Sequence, residues 1–204
     1  MTIELTAIIL VGGRGRRFGA DKASAQIGGC SMLQHIVQRL APACERFLTV
    51  TSDEDRPPPP FSSERPHAML VDARRGELGP LAGIETGLAA SQTDLNFVLA
   101  CDMPLVNADL VRYLAGLAGG YQAVVPWSEG WPMPLHAVYR REAVETARQA
   151  LDAGERDMRR FLKRLRVRYA TEAEMRPLDP ELRSLLNVNA PADLEQVRRW
   201  LEGS

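Results

Sequence analysis

The feature that most constrains this chain is a short apolar run, LTAIILV at 5–11, that opens into a glycine-rich basic loop. Such a run, rich in isoleucine and bounded by glycines, reads as a strand buried on both faces. From Leu10 to Lys22 the sequence is LVGGRGRRFGADK, with four glycines, three arginines and one lysine. Glycines let a backbone turn tightly and approach a ligand closely. Loop N–H groups bind anions, and arginine and lysine add full charge. A polyphosphate is the ligand such a loop suits. Two common phosphate motifs fail. A P-loop needs Gly-Lys-Ser/Thr, but Lys22 stands between Asp21 and Ala23. A dinucleotide fingerprint needs glycines at i, i+2 and i+5; Gly13 and Gly15 fit, and Phe18 does not. A tight turn bearing solvated arginines is the plain alternative.

The rest of the chain alternates strand and helix. SMLQHIVQRLAPA places Met32, Leu33, Ile36, Val37 and Leu40 on one helical face, with Ser31 as the cap. RFLTVTS and HAMLVD read as strands. GPLAGIETGLAAS reads as a helix with Pro80 in its first turn and Leu81, Ile84 and Leu88 inward. LNFVLAC is another buried strand. NADLVRYLAGLAG opens on an Asn107 cap and turns Leu110, Leu114 and Leu117 inward. The pattern predicts an α/β fold of three layers, a mostly parallel central sheet with helices on both faces, Rossmann-like. QAVVPW and PLHAVYR are strand-like, helical stretches follow over about 141–165, and a last helix begins near Pro191. PPPP at 57–60 reads as a stiff, extended surface connection. No repeat and no linker divides the chain, so 1–204 reads as one domain.

Composition narrows the function. The chain is 45% hydrophobic, enough for a real core, and its net charge of −1 argues against a broad nucleic-acid surface. Cys30, Cys44 and Cys101 lack metal-site spacing and read as reduced thiols, which points to the cytoplasm. No signal peptide and no membrane-length apolar run is recognisable.

LVGGRGRRFGADKA resembles the N-terminal signature of nucleotidyltransferases, Leu-Ala-Gly-Gly-x-x-x-Arg-Met-Gly-x-Asp-Lys, with Val11 and Phe18 as mild departures. GPLAGI at 79–84, CDMPLV at 101–106 and NVNAPADL at 187–194 follow in the expected order. Together they resemble the molybdenum cofactor guanylyltransferases over almost the whole chain. The related cytidylyltransferases usually carry Gly-Asp-Gln-Pro where this chain has CDMP. The resemblance implies GTP and Mg2+, with molybdenum-loaded molybdopterin as acceptor. It implies proteins of cofactor biosynthesis and molybdoenzyme maturation as partners, and neither nucleic acid nor membrane. A nucleotide part would span about 1–106 and an acceptor part about 107–204. A CTP-using or sugar-phosphate nucleotidyltransferase, and a non-catalytic GTP or cofactor carrier, are the competing readings.

Residue by residue, the resemblance implies that Leu10, Val11, Gly12, Gly13 and Gly15 wrap the nucleotide with backbone. Arg17 and Lys22 would hold the triphosphate and offset charge on departing pyrophosphate. Arg14 and Arg16 occupy variable positions. Asp102, at the carboxyl end of a predicted central strand, would be the Mg2+ ligand; a strand-end turn with Pro104 is the alternative. Asp72 would contact the nucleotide, by pairing with guanine or with the ribose, or else cap a loop. Gly79 opens a helix whose N-terminus favours an anion or a close approach. Asn187, Asn189 and Arg156 would lie on the acceptor side, although Asn189 also suits a helix cap and Arg156 a solvated helix face. Met133 stands where the family commonly has glutamine. His136 reads as a packed strand residue.

Overall fold

The computed structural model describes residues 3–12, 22–52, 57–72, 74 and 78–202. Strand β1 (Leu5–Val11) is buried along its whole length, as its composition predicts. A 3-10 turn (Lys22–Ser24) and a hairpin of β2 (Gln26–Ile27) and β3 (Cys30–Ser31) lead into α1 (Met32–Leu40). Ser31 caps that helix, its Oγ accepting from Gln34 N at 3.2 Å, and all five expected apolar residues of α1 are buried. Then come β4 (Arg46–Thr51), β5 (His67–Val71), α2 (Pro80–Ala90), β6 (Leu95–Ala100) and α3 (Ala108–Gly116). Asn107 caps α3, its Oδ1 accepting from Asp109 N at 2.9 Å and Leu110 N at 3.3 Å. Leu110 and Leu114 are fully buried; Leu117 falls at the C-cap and packs on the core from a half-buried position.

The second half contributes β7 (Ala123–Ser128), β8 (Trp131–Pro132), β9 (His136–Arg140), α4 (Ala143–Asp152) and α5 (Met158–Leu162). It ends with β10 (Val167–Thr171), α6 (Glu172–Met175) and α7 (Pro191–Glu202). One sheet takes strands from both halves in the order β10-β7-β9-β6-β1-β4-β5, with β8 paired to β7. β6, β1, β4 and β5 are mutually parallel. β9 is antiparallel to both its neighbours, β6 and β7. The link from β7 to β9 carries only the two-residue strand β8 and no helix, too short for the crossover a parallel pair requires. β7 and β10 are parallel to each other and therefore run in the direction of β1.

Alternate residues of β1 feed two cores. Leu5, Ala7, Ile9 and Val11 join α1, α3 and α7 on one face. Ile8 and Leu10 join α2, α4 and α5 on the other. Helix α2 lies close against the sheet. A Cβ on Gly87 would sit 2.4 Å from Ile8 Cγ2, and one on Gly83 would sit 3.0 Å from Leu10 Cδ2. Gly83 and Gly87 of GPLAGIETG therefore serve helix-to-strand packing, while Gly79 stands at the start of the helix. The 57–60 prolines are neither helix nor strand and range from exposed to half-buried.

Candidate active site

The connection through α1 carries the chain from β1 to β4 on one side, while α2 returns it to β6 on the other. That reversal opens a crevice at the carboxyl ends of β1 and β6, where open α/β sheets bind ligands. The register pairs Val11 with Thr51, Thr51 with Val71, and Leu10 with Ala100. Gly12, Ser52, Asp72 and Asp102, each just past one of these strands, therefore share a single edge. Gly12 faces Ser52, whose Oγ would lie 3.1 Å from an added Cβ, so the end of β1 passes close to β4 there. Leu10 and Val11 are buried, which leaves only their backbone to a ligand. Gly13, Gly15 and Arg17, with the side chain of Lys22, lie outside the described residues.

Asp102 is tied into the C-terminal segment. Its carbonyl accepts from Val188 N at 2.7 Å, and Cys101 N donates to Leu10 O at 3.1 Å. Val188 is buried at 1% exposure, while Asn187 and Asn189 on either side of it face solvent. The sequence-predicted Asp102, Asn187 and Asn189 thus come together from positions some eighty residues apart. Asn189 also serves the helix: its N–H and that of Ala190 donate to Asp193 Oδ2 at 2.7 and 2.8 Å. Arg156 is exposed and stands just before Asp157, which caps α5 through Arg159 N at 2.7 Å.

Among the described residues, no group of three or more His, Cys, Asp or Glu is arranged to hold a metal. The single carboxylate of Asp102 nevertheless suits Mg2+, which takes one or two carboxylates and fills its other positions with phosphate oxygens and water. Asp102 Oδ1 is shielded from solvent at the crevice, where a ligand with phosphates would complete such a shell.

Asp72 is positioned by three bonds. Its N–H donates to Thr51 O at 2.7 Å, and its Oδ1 accepts from Arg74 N at 3.1 Å and Thr86 Oγ1 at 3.2 Å. Partial burial raises its carboxyl pKa, against the lowering effect of those two bonds. Oδ1 already takes both hydrogen bonds its lone pairs allow, so a contact with a base falls to Oδ2. Gly79 adopts φ +71° at the N-cap of α2, a left-handed conformation that glycine tolerates without strain, with open space around its α-carbon.

Arg74 is the residue that sequence reasoning passed over. Its Nε donates to Glu85 Oε2 and its Nη1 to Asp152 Oδ1, both at 2.7 Å, joining the loop after β5 to α2 and α4. Glu85 is buried at 8% exposure and also meets Arg148 at 3.4 Å, so its charge is compensated. The signal was the two-residue spacing from Asp72, which is that of an Asx turn. Met133 half-buries its side chain on the core, and its N–H donates to Pro126 O at 2.8 Å. His136 is wholly buried on β9, edge-on to Phe97 with ring centroids 5.0 Å apart. Burial pushes its pKa down to about 3, with Asp179 opposing.

A three-layer α/β sheet with a crevice at its switch point and a strand-end carboxylate there is the arrangement of a nucleotidyltransferase domain, and comparison with known proteins places the chain in that class. The chain belongs to the MobA-like NTP transferase domain family, whose model matches residues 7–169. It is 34% identical over 196 residues, covering 95% of this chain and 90% of the other, to a molybdenum cofactor guanylyltransferase of Syntrophotalea carbinolica. Among solved structures it resembles molybdopterin-guanine dinucleotide biosynthesis protein A of Archaeoglobus fulgidus. That likeness has a TM-score of 0.79 at 28% identity and covers 98% of this chain and all of the other.

Proposed function

We propose that this protein transfers GMP from GTP to the terminal phosphate of molybdenum-loaded molybdopterin. An acceptor phosphate oxygen forms a bond to the α-phosphorus of GTP, the bond from that phosphorus to the bridging oxygen breaks, and pyrophosphate leaves. The observation that carries the reading is likeness to a guanylyltransferase along 95% of the chain. Asp72 and Asp102 lie three strands apart, roughly 14 Å at the usual spacing, room for a nucleoside triphosphate laid along the edge. Its base would face Asp72 and its phosphates would lie over β1 and β6.

Phosphoryl-type transfer rests on positioning and charge neutralisation more than on a covalent nucleophile. Gly12, Gly13 and Gly15 would admit the phosphates, and Arg17 would fork across two phosphate oxygens while Lys22 supplies a compact charge. Asp102 would hold Mg2+, which when bound neutralises phosphate charge. Asn187 and Asn189 would orient the acceptor phosphate without adding charge, with Arg156 at the far acceptor side.

The test mixes the protein, Mg2+ and molybdenum-loaded molybdopterin with GTP, CTP or ATP in parallel and analyses the products. A guanine dinucleotide and pyrophosphate with GTP alone is the expected result. A cytosine dinucleotide as main product, or GTP binding without pyrophosphate release, overturns the reading.

A further inference from the structure

Two exposed tryptophans stand on the same edge as Asp102. β7 runs parallel to β6 across the intervening β9, so Trp127 and Ser128 reach the carboxyl edge two strand spacings, about 10 Å, from β6. Trp127 is 40% exposed and Trp131 58%. Tyr169 on β10 meets Trp127 edge-on at 5.3 Å, and the Arg159 guanidinium lies 5.4 Å from the Trp131 ring centroid. Trp131 keeps most of its surface open even under that arginine.

The hairpin that carries the pair is rigid. Ser128 pairs with Trp131, and the two residues between them, Glu129 and Gly130, both take positive φ, +53° and +83°. Such a turn matches strand twist, but a residue with a side chain in this region is strained. The carboxylate of Glu172 holds it there, accepting from Ser128 Oγ and Glu129 N at 2.9 Å each. A fixed hairpin showing the Trp131 ring to water, with the Arg159 cation beside it, suits a flat heteroaromatic ring joined to an anionic group.

We propose that Trp131 is the platform on which the ring system of the phosphate-bearing acceptor stacks; Trp127 neighbours Ser128, the residue paired with Trp131, and turns to the other face of the hairpin. This rests on the guanylyltransferase reading for the acceptor's identity. Placement decides for the acceptor over the nucleotide. Asp72, the candidate base contact, lies on the opposite side of the crevice, past β1 and β4, while the hairpin lies beyond β9.

Trp131→Ala and Trp131→Phe proteins test the platform, with circular dichroism to check that the fold is kept. Two quantities are read: the molybdopterin KM of the transfer reaction, and the calorimetric affinity for neopterin monophosphate, a pterin with one phosphate, measured without nucleotide. Loss of a stacked ring weakens binding about ten-fold or more. The alanine variant should show that loss in both quantities, the phenylalanine variant should stay within about three-fold of wild type, and GTP affinity should not move. A wild-type protein that ignores the pterin probe, or an alanine variant that binds it as tightly and keeps its molybdopterin KM, overturns the platform. Wild-type protein that makes no guanine dinucleotide, yet loses pterin binding with Trp131, removes the guanylyltransferase reading and leaves the platform standing.

Discussion

Asp102 and Asp72 are both strand-end aspartates, yet their surroundings assign them different tasks. Asp102 anchors the C-terminal segment through its carbonyl, and its carboxylate carries the charge that would hold a cation. Asp102→Asn keeps the shape and removes the charge, so turnover at limiting Mg2+ should fall by about 10²-fold, the cost of one lost electrostatic contact to the transition state. Near-normal turnover in that variant would take Asp102 out of the metal role. Asp72→Asn tests the other site. Its Oδ1 stays matched to the N–H of Arg74 and the hydroxyl of Thr86, while an amide NH2 replaces Oδ2 and faces the donors of guanine. A lost bond to a charged acceptor predicts a fall in GTP affinity of roughly 10- to 100-fold with the melting temperature nearly unchanged. Calorimetry and a thermal melt read the two quantities, and unchanged affinity would leave Asp72 as a loop cap. The aspartates were legible because each closes an apolar run. The Asx-turn spacing places Arg74 beside Asp72, but its ion pair with Glu85 and the bond from Thr86 depend on the loop after β5 folding back onto α2, which no local pattern announces.

At the scale of elements, the helices were the most legible part. Their caps, Ser31 and Asn107, are local chemistry, and the buried faces of α1 and α3 follow from a 3.6-residue period. β10 was missed because it is an edge strand. VRYAT carries Arg168 and Tyr169 and buries only Ala170, so it lacks the apolar run that revealed β1 and β6. The antiparallel course of β9 was likewise hidden, since an apolar strand looks the same in either direction. Helix α2 offers the cleanest test of element packing. Gly87→Ala gains about 1 kcal/mol of helix propensity, but its new methyl falls on Ile8 Cγ2, and Ile8 is wholly buried and branched at Cβ. Overpacking of this kind costs about 1–3 kcal/mol, so the variant should be less stable by up to about 2 kcal/mol. Urea denaturation would read it, and a variant as stable as wild type would mean that α2 can lift off β1.

For the whole molecule, the two cores on either side of one sheet make protonation a matter of stability. His136 sits at 0% exposure in the face shared with α1 and α3, and neither ring nitrogen has a hydrogen-bond partner among the described residues. Burial lowers its pKa from 6.5 to about 3. His35 is shifted the same way, by burial first and by Arg39 second. Between those limits the unfolded chain binds a proton at His136 that the folded protein refuses. The unfolded state therefore gains protons as pH falls, and stability falls with it, by up to about 1.4 kcal/mol per pH unit; above about pH 6.5 the penalty vanishes. The carboxylates of Glu172 and Glu174, held down to about 2 chiefly by backbone N–H bonds, contribute stability that is lost only as pH drops below 4.5. The window from pH 6.5 to 5 therefore lies above that loss, and comparison with a variant at His136 isolates the imidazole. His136→Leu removes the larger of the two shifts while keeping an apolar side chain against Phe97. Over that window the wild type should lose about 1.5 kcal/mol more than the variant, read from urea midpoints at each pH. Equal losses in both proteins would mean that the buried imidazole takes up its proton inside the fold.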